Sequence, residues 1–340
     1  MISEPLEPYL AAIECELREG LSESEVLLPG LYAMLAYHFG WQDSNGQPTD
    51  AQAGKRLRPL LCLLTCEAAG GEWELALPAA GAVELVHNFS LIHDDIEDKS
   101  PLRRGRPTLW SVWGLGHGVN CGDMLLVLAR HHLLRIADGG ADQDTVLKAV
   151  AILDRALLRL CRGQYLDISG EGKLDATEQW YEQMIGGKTA TLLAASAEIG
   201  ALIARRPETL AAYRDYGWQL GLTFQMVDDL IGIWGDAATT GKSAATDIQT
   251  HKMTLPVIYA MRNGSEAARL SQLYAQSALN DQEVVEVVGI LERSGARDYV
   301  QSAAHKHERL ALAALDLAEA QGAAADHLRQ LTTALTERVA

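Results

Sequence analysis

The chain has 340 residues, 48% of them hydrophobic, enough for a substantial core, and its 30 glycines and 10 prolines exclude a collagen-like or proline-rich chain. Lys plus Arg total 29 against 45 for Asp plus Glu, a net charge of −16. That balance argues against general binding to nucleic acid or to an anionic membrane, but not against an anion held by a few local cations.

The helical repeat of apolar residues predicts helices over 58–70, 77–96, 119–137, 143–162, 189–205, 210–234 and 301–338, the first of them opening at Pro59. Period-two alternation is hard to find. Two stretches, 40–54 and 99–107, carry turn formers instead and read as loops near chemistry rather than as linkers. The expectation is an all-α chain forming one domain over 1–340. Five cysteines lack paired metal spacing, and Cys62 and Cys66 lie in an apolar run, so they read as buried, reduced thiols. The acidic start, MISEPLEPYL, has no basic-then-apolar leader. No unbroken apolar run reaches the roughly 18 residues of a membrane span. A cytoplasmic location without integral membrane association follows as the expectation.

Two carboxylate clusters stand out. In His93-Asp94-Asp95-Ile96-Glu97-Asp98, Asp94 and Asp98 are four apart and Asp95 and Asp98 three apart, so all three can share one side of a helix. Oxygen-only donors without His or Cys favour a hard cation such as Mg²⁺, which takes one or two carboxylates and completes its shell with substrate phosphates. The bland reading is a solvated acidic helix end, but the cluster follows an apolar helix (Val83, Leu85, Val86, Phe89, Leu91, Ile92). The second cluster, Asp228-Asp229, lies among Phe224, Met226, Val227, Leu230 and Ile231, where an unpaired carboxylate is costly to bury.

Cations come in short bursts: Lys55-Arg56-Leu57-Arg58, Arg103-Arg104-Gly105-Arg106, Lys188, Lys242 and Lys252. Singly each is a surface patch. Together, in an acidic chain, they suit a polyanion pocket in which metal ions bridge carboxylates to phosphates. A P-loop is excluded, because Gly235 and Gly241 enclose five residues rather than four and no strand precedes them.

In order, GKRLRP, DDIED, LRRGRPT, GGKTA, FQMVDD and GKSAATDIQTHKMTLPV resemble the trans-isoprenyl diphosphate synthases, or polyprenyl synthetases, over about 54–257. The resemblance implies the all-α isoprenoid synthase fold around a deep cavity and a homodimer. It also implies Mg²⁺, three ions per site, on the diphosphate of an allylic substrate. Carried over by position, Asp94, Asp95, Asp98 and Asp228 match metal ligands, and Arg103, Lys188, Lys242 and Lys252 match cations on the allylic diphosphate. Lys55, Arg58, His87 and Arg104 match the pocket for isopentenyl diphosphate, while Thr189 and Gln225 match polar groups beside the developing carbocation. Gly232 stands where the fuller pattern has a third aspartate, which weakens the case for Asp229 and Asp236 as direct ligands. Phe89, Ser90 and Val86 match the positions that set the floor of the tail cavity. One aromatic there, with no insertion in DDIED, resembles the archaeal geranylgeranyl diphosphate synthases and points to a C20 product. A farnesyl or longer-chain product, a terpene cyclase and a non-catalytic subunit are the competing readings. The cyclase has no use for a second diphosphate pocket, and a subunit tends to lose motifs that all stand here.

Overall fold

The computed structural model describes residues 6–49, 54–235 and 246–337, and these are helical almost throughout. In chain order the helices are α1 (Glu7–Leu27), α2 (Pro29–His38), α3 (Leu57–Ala68), α4 (Leu77–Glu97), α5 (Leu109–Trp113), α6 (Leu115–Leu134), α7 (Gln143–Ser169), α8 (Glu178–Ile185) and α9 (Thr191–Ile203). They continue with α10 (Leu210–Trp234), α11 (Thr246–Gln249), α12 (Leu255–Asn263), α13 (Ala267–Tyr274), α14 (Asp281–Arg293), α15 (Ala296–Leu317) and α16 (Gly322–Thr336). The chain divides into two compact units, Met1–Leu153 with Ser196–Leu210, and Asp154–Ala195 with Ala211–Ala340.

The first unit is built on α4, which packs chiefly against α6 and also against α3 and α1. Proline near its first turn starts α4 without losing an internal hydrogen bond. Its interior is apolar apart from Glu84, Asn88 and Asp95, each buried. Trp73–Glu97 is long and apolar enough to cross a membrane, against the expectation of no such segment, and 67% of its apolar window is buried within the protein, as in a core helix. On α3, Cys62 and Cys66 are fully buried, and all five cysteines are free, as read from their spacing.

The 99–107 loop holds a short antiparallel hairpin, β1 (Leu102–Arg103) and β2 (Arg106–Pro107). Its two turn residues, Arg104 (φ 52°) and Gly105 (φ 75°), both lie in the left-handed region. That is the requirement of a two-residue turn matched to strand twist. Two-residue strands carry no alternation, so the sequence pattern could not show them.

The second unit packs α8, α10, α12, α14 and α15 around a common apolar core. Thr177 caps α8 through its Oγ1, which accepts from Trp180 N at 3.0 Å, and Asn280 with Glu283 forms a reciprocal capping box on α14. The predicted helix over 301–338 is interrupted instead. α15 stops at Leu317, Glu319 (φ 52°) and Gly322 (φ 75°) turn the chain, and α16 begins. Within unit two, α7 and the segment that precedes α9 meet through glycines: a Cβ on Gly187 would lie 2.7 Å from Arg159 O and 2.8 Å from Gly163 Cα.

Candidate active site

In the first unit, positive charge gathers at the start of α3 and the β1–β2 turn. Lys55 is exposed. Arg58 Nη1 lies 3.3 Å from His87 Nε2, and Arg58 Nε is buried without a partner. Arg104 rests against the backbone of Gly54 (φ 108°), where a Cβ would stand 2.8 Å from Arg104 Nη2. Only glycine leaves that space. Burial pushes the Arg58 guanidinium down to about 10. Burial, then Arg58 and Arg104, holds His87 well below its usual value, so it is neutral at pH 7. An orphaned buried guanidinium nitrogen is costly, and an acceptor oxygen such as that of a phosphate would satisfy it.

The first aspartate cluster divides by direction. Asp95 is 3% exposed and accepts from Arg103 Nε at 2.8 Å. Burial raises its carboxyl to about 6, against the opposing pull of Arg103. Asp94 is partly exposed and Asp98 exposed, at the end of α4. A small cavity of about 40 Å³ beside Asp95 is lined by His38, Asn88, Arg103 and Arg104. Phe89 (8% exposed) and Val86 (fully buried) lie on the preceding turns of α4, and Phe89 meets His93 edge-on at 5.2 Å. Ser90 Oγ donates to His87 O at 2.7 Å.

In the second unit, residues Gly186–Ala190 form one π-helical turn between α8 and α9, the kind of bulge frequent at functional sites. It carries Lys188, whose Nζ is 2.6 Å from Asp167 Oδ2, and Thr189, whose Oγ1 donates to Gln225 Oε1 at 2.7 Å. Gln225 Nε2 donates in turn to Asp229 Oδ1 at 3.1 Å. Asp229 Oδ2 also accepts from Tyr181 Oη at 2.7 Å and Leu255 N at 3.3 Å. Burial outweighs these donors and raises the Asp229 carboxyl to about 7.

Asp228, the next residue back, is exposed. One turn on, a side chain at Gly232 would run into the Asp247 carboxylate, so the space of the missing third aspartate is filled by another acid. Lys252 donates its backbone N–H to Asp247 O at 2.9 Å. Lys242 and Asp236 lie outside the described residues.

For a divalent cation the donor chemistry fits at Asp94, Asp98 and Asp228, which are all-oxygen and open to solvent. Among the described residues no three His, Cys, Asp or Glu side chains converge on one point, so substrate oxygens and water would complete the shell. Asp95 and Asp229 are buried and accept from protein donors.

Sequence reading missed Glu84, Glu14, Asn88 and His38, which back the cations of the first unit, and Asp167 and Tyr181, which hold Lys188 and Asp229. A lone Glu and Asn inside the apolar α4 were the available signal for the first set. Tyr181 left none.

A family model described as Polyprenyl synthetase matches residues 45–291. The chain is 40% identical over 288 residues to a geranylgeranyl diphosphate synthase of Mycobacterium tuberculosis, covering 84% of this chain and 81% of that one. It is 39% identical over 286 residues to a (2E,6E)-farnesyl diphosphate synthase of Mycobacterium bovis, covering 82% and 78%. The solved polyprenyl synthetase of Streptomyces coelicolor A3(2) superposes with a TM-score of 0.87 at 35% identity over 98% of both chains.

Proposed function

The chain belongs to the polyprenyl synthetase family and is a trans-prenyl diphosphate synthase of short-chain type, and from that premise we propose that it adds isopentenyl diphosphate to an allylic diphosphate to make the C20 product, geranylgeranyl diphosphate. The observation that carries the reading is the orphaned Arg58 Nε beside neutral His87, with Arg104 laid on Gly54. It is a pocket lined by cations and a neutral imidazole, suited to the diphosphate of isopentenyl diphosphate.

The allylic C–O bond breaks as charge moves onto the departing pyrophosphate, the alkene of isopentenyl diphosphate attacks the allylic cation, and loss of a proton to pyrophosphate ends one cycle. Asp94 and Asp98 in the first unit, and Asp228 in the second, are the residues that would hold Mg²⁺, which would supply neutralisation of that departing charge. Lys188, oriented by Asp167, and Arg103, oriented by Asp95, add fixed positive charge. Lys242 and Lys252 join them by family position. The Thr189 hydroxyl is held by Gln225, so both oxygens are set in place as dipoles for the cation rather than left to rotate. Lys55, Arg58, His87 and Arg104 orient the second diphosphate.

Phe89 is the residue we assign to the chain-length floor, because it is the large side chain one turn before Asp94 on α4 and is buried. The relatives' names span farnesyl and geranylgeranyl products, so the experiment is a product assay. Protein, Mg²⁺ and isopentenyl diphosphate are incubated with dimethylallyl, geranyl or farnesyl diphosphate, and the dephosphorylated products are sized. A C20 alcohol from all three supports the reading. A C15 or C25-plus alcohol keeps the chemistry and removes the Phe89 argument. Pyrophosphate release or a hydrocarbon without elongation moves the reading to a cyclase. A homodimer is proposed as well, supported by the exposed apolar face of α6 formed by Leu115, Val119, Val127 and Leu134. The family match takes in residues of both compact units, which supports treating them as one catalytic domain. Five free thiols suit a reducing, cytoplasmic setting.

A further inference from the structure

Of the cations in the GKRLRP segment, Arg56 is built unlike its neighbours. It is 8% exposed, while Lys55 is exposed and Arg58 keeps an unpartnered nitrogen. Both ends of its guanidinium are taken by carboxylates, Nη1 by Glu84 Oε1 at 2.7 Å and Nη2 by Glu14 Oε2 at 3.1 Å. Its face lies 5.5 Å from the centre of the Phe39 ring. Glu14 is shared with Arg18 at 3.3 Å, but Glu84 and Glu14 between them occupy both ends of the Arg56 guanidinium, so neither end is turned to an outside anion.

The backbone of Arg56 sits at φ 48°, ψ 33°, the residue before α3. A residue with a Cβ adopts that left-handed conformation only at an energetic cost, so contacts elsewhere must offset it. The ion pairs to Glu84 and Glu14 are the contacts available to do so. That kink sets the direction in which the chain enters α3, between exposed Lys55 and Arg58 at His87.

The same carboxylate continues inward. Glu84 Oε1 accepts from Asn88 Nδ2 at 3.0 Å, and Asn88 Oδ1 is 3.1 Å from His38 Nε2. His38, Arg103 and Arg104 share the walls of the 40 Å³ cavity. Burial, then Arg103, pushes His38 down to about 3, so the ring is neutral and Nε2–H donates to Asn88. A continuous run of polar contacts therefore leads from Glu14 on α1 through Arg56, Glu84 and Asn88 to His38 beneath the Arg103–Arg104 turn.

We propose that Arg56 is a positioning residue, and that the run Glu14–Arg56–Glu84–Asn88–His38 fixes the Lys55–Arg58 kink and the Arg104 side of the isopentenyl diphosphate pocket as one unit. The proposal rests on the reading of Lys55, Arg58, His87 and Arg104 as that pocket. None of the five touches substrate; each acts through the geometry of those four.

The test is calorimetric titration of isopentenyl diphosphate into full-length, metal-free protein, wild type and variants, alongside thermal melting and the KM for the allylic substrate. Glu84→Gln should weaken binding by about tenfold to a hundredfold, the loss expected when binding groups shift by about 1 Å. Arg56→Lys, which keeps one ion pair, and Glu14→Gln, whose site is partly exposed, should lose less, in that order. The allylic KM should stay within about twofold of wild type, a split that general destabilisation would not give. If Glu84→Gln fails to fold, the two milder variants carry the test. Folded variants that bind like wild type would overturn the proposal. An Arg56→Ala loss as deep as that of Arg58→Ala, at unchanged melting temperature, would make Arg56 a direct ligand and overturn it too. A wild-type chain that binds no isopentenyl diphosphate would overturn the functional reading, and the positioning role with it. Retained wild-type binding with unaffected variants would overturn the positioning role alone.

Discussion

In the first unit the charged groups around Arg58 leave positive charge over, with one guanidinium nitrogen buried and unmet and the nearby histidine neutral. Around Asp229 in the second unit the surplus is negative, and the buried carboxylate is met by three neutral donors, Tyr181, Gln225 and Leu255 N. On the proposed reading, the first arrangement would be completed by an anion that arrives with the substrate. The second already satisfies its buried acid and leaves Asp228, next to it, open for a cation. Adjacent residues on a helix point about 100° apart, so a DD pair can turn one acid into the fold and leave the other toward solvent, as Asp229 and Asp228 do.

The largest expected effect tests the positive side. Lys55→Ala with Arg58→Ala should cut kcat/KM for isopentenyl diphosphate by about a hundredfold or more, since a desolvated charged contact such as that of Arg58 is worth about 2–5 kcal/mol and exposed Lys55 adds less. Steady-state kinetics with the allylic substrate saturating would read it, and unchanged kinetics would remove the pocket assignment. On the negative side, Asp228→Ala should lower kcat by about a hundredfold or more with little change in melting temperature. Asp229→Asn should do the reverse and mainly destabilise, because an amide cannot accept from three donors. Equal effects at the two positions would break the division.

A smaller effect is the pH profile of stability in metal-free protein. The folded-state values of Asp229, about 7, and Asp95, about 6, both lie above the ordinary 3.8. The folded form therefore holds protons that the unfolded chain has released. Stability from these groups is greatest near pH 4 and declines as pH rises toward 7. Melting temperature against pH should fall across that window, and Asp229→Asn should flatten the fall. The smallest is Tyr181→Phe, which removes one donor and should cost about 1–3 kcal/mol, read by denaturant unfolding at pH 8, where Asp229 is ionised.

Much of this was legible beforehand, and the illegible parts share a cause. Helix α10 runs over 210–234 as its apolar period predicts, and α4 differs by one residue at its end. The positions of the DDIED and DDLIG acids were plain from the sequence. Which acid of each group turns inward was not, because Asp95 is partnered by Arg103, a cation whose motif does not say which acid it meets, and Asp229 by Tyr181, 48 residues away and in no motif. The break at 318–321 was missed because alanine carries the helical pattern through it, leaving Gly322 as the one sign. The π turn at Gly186–Ala190 adds a residue without disturbing polarity, so periodicity cannot register it. The run behind Arg56 was invisible because Glu14, His38 and Glu84 meet only through folding.

The most direct test of the account is the titration of isopentenyl diphosphate into protein stripped of metal. On the proposed reading, Arg58 and its cationic neighbours in the first unit would hold this diphosphate without a metal ion. The account therefore predicts saturable binding in chelator, weakened by added salt and lost in Arg58→Ala. Binding that appears only when Mg²⁺ is restored, or that survives Arg58→Ala, would contradict it.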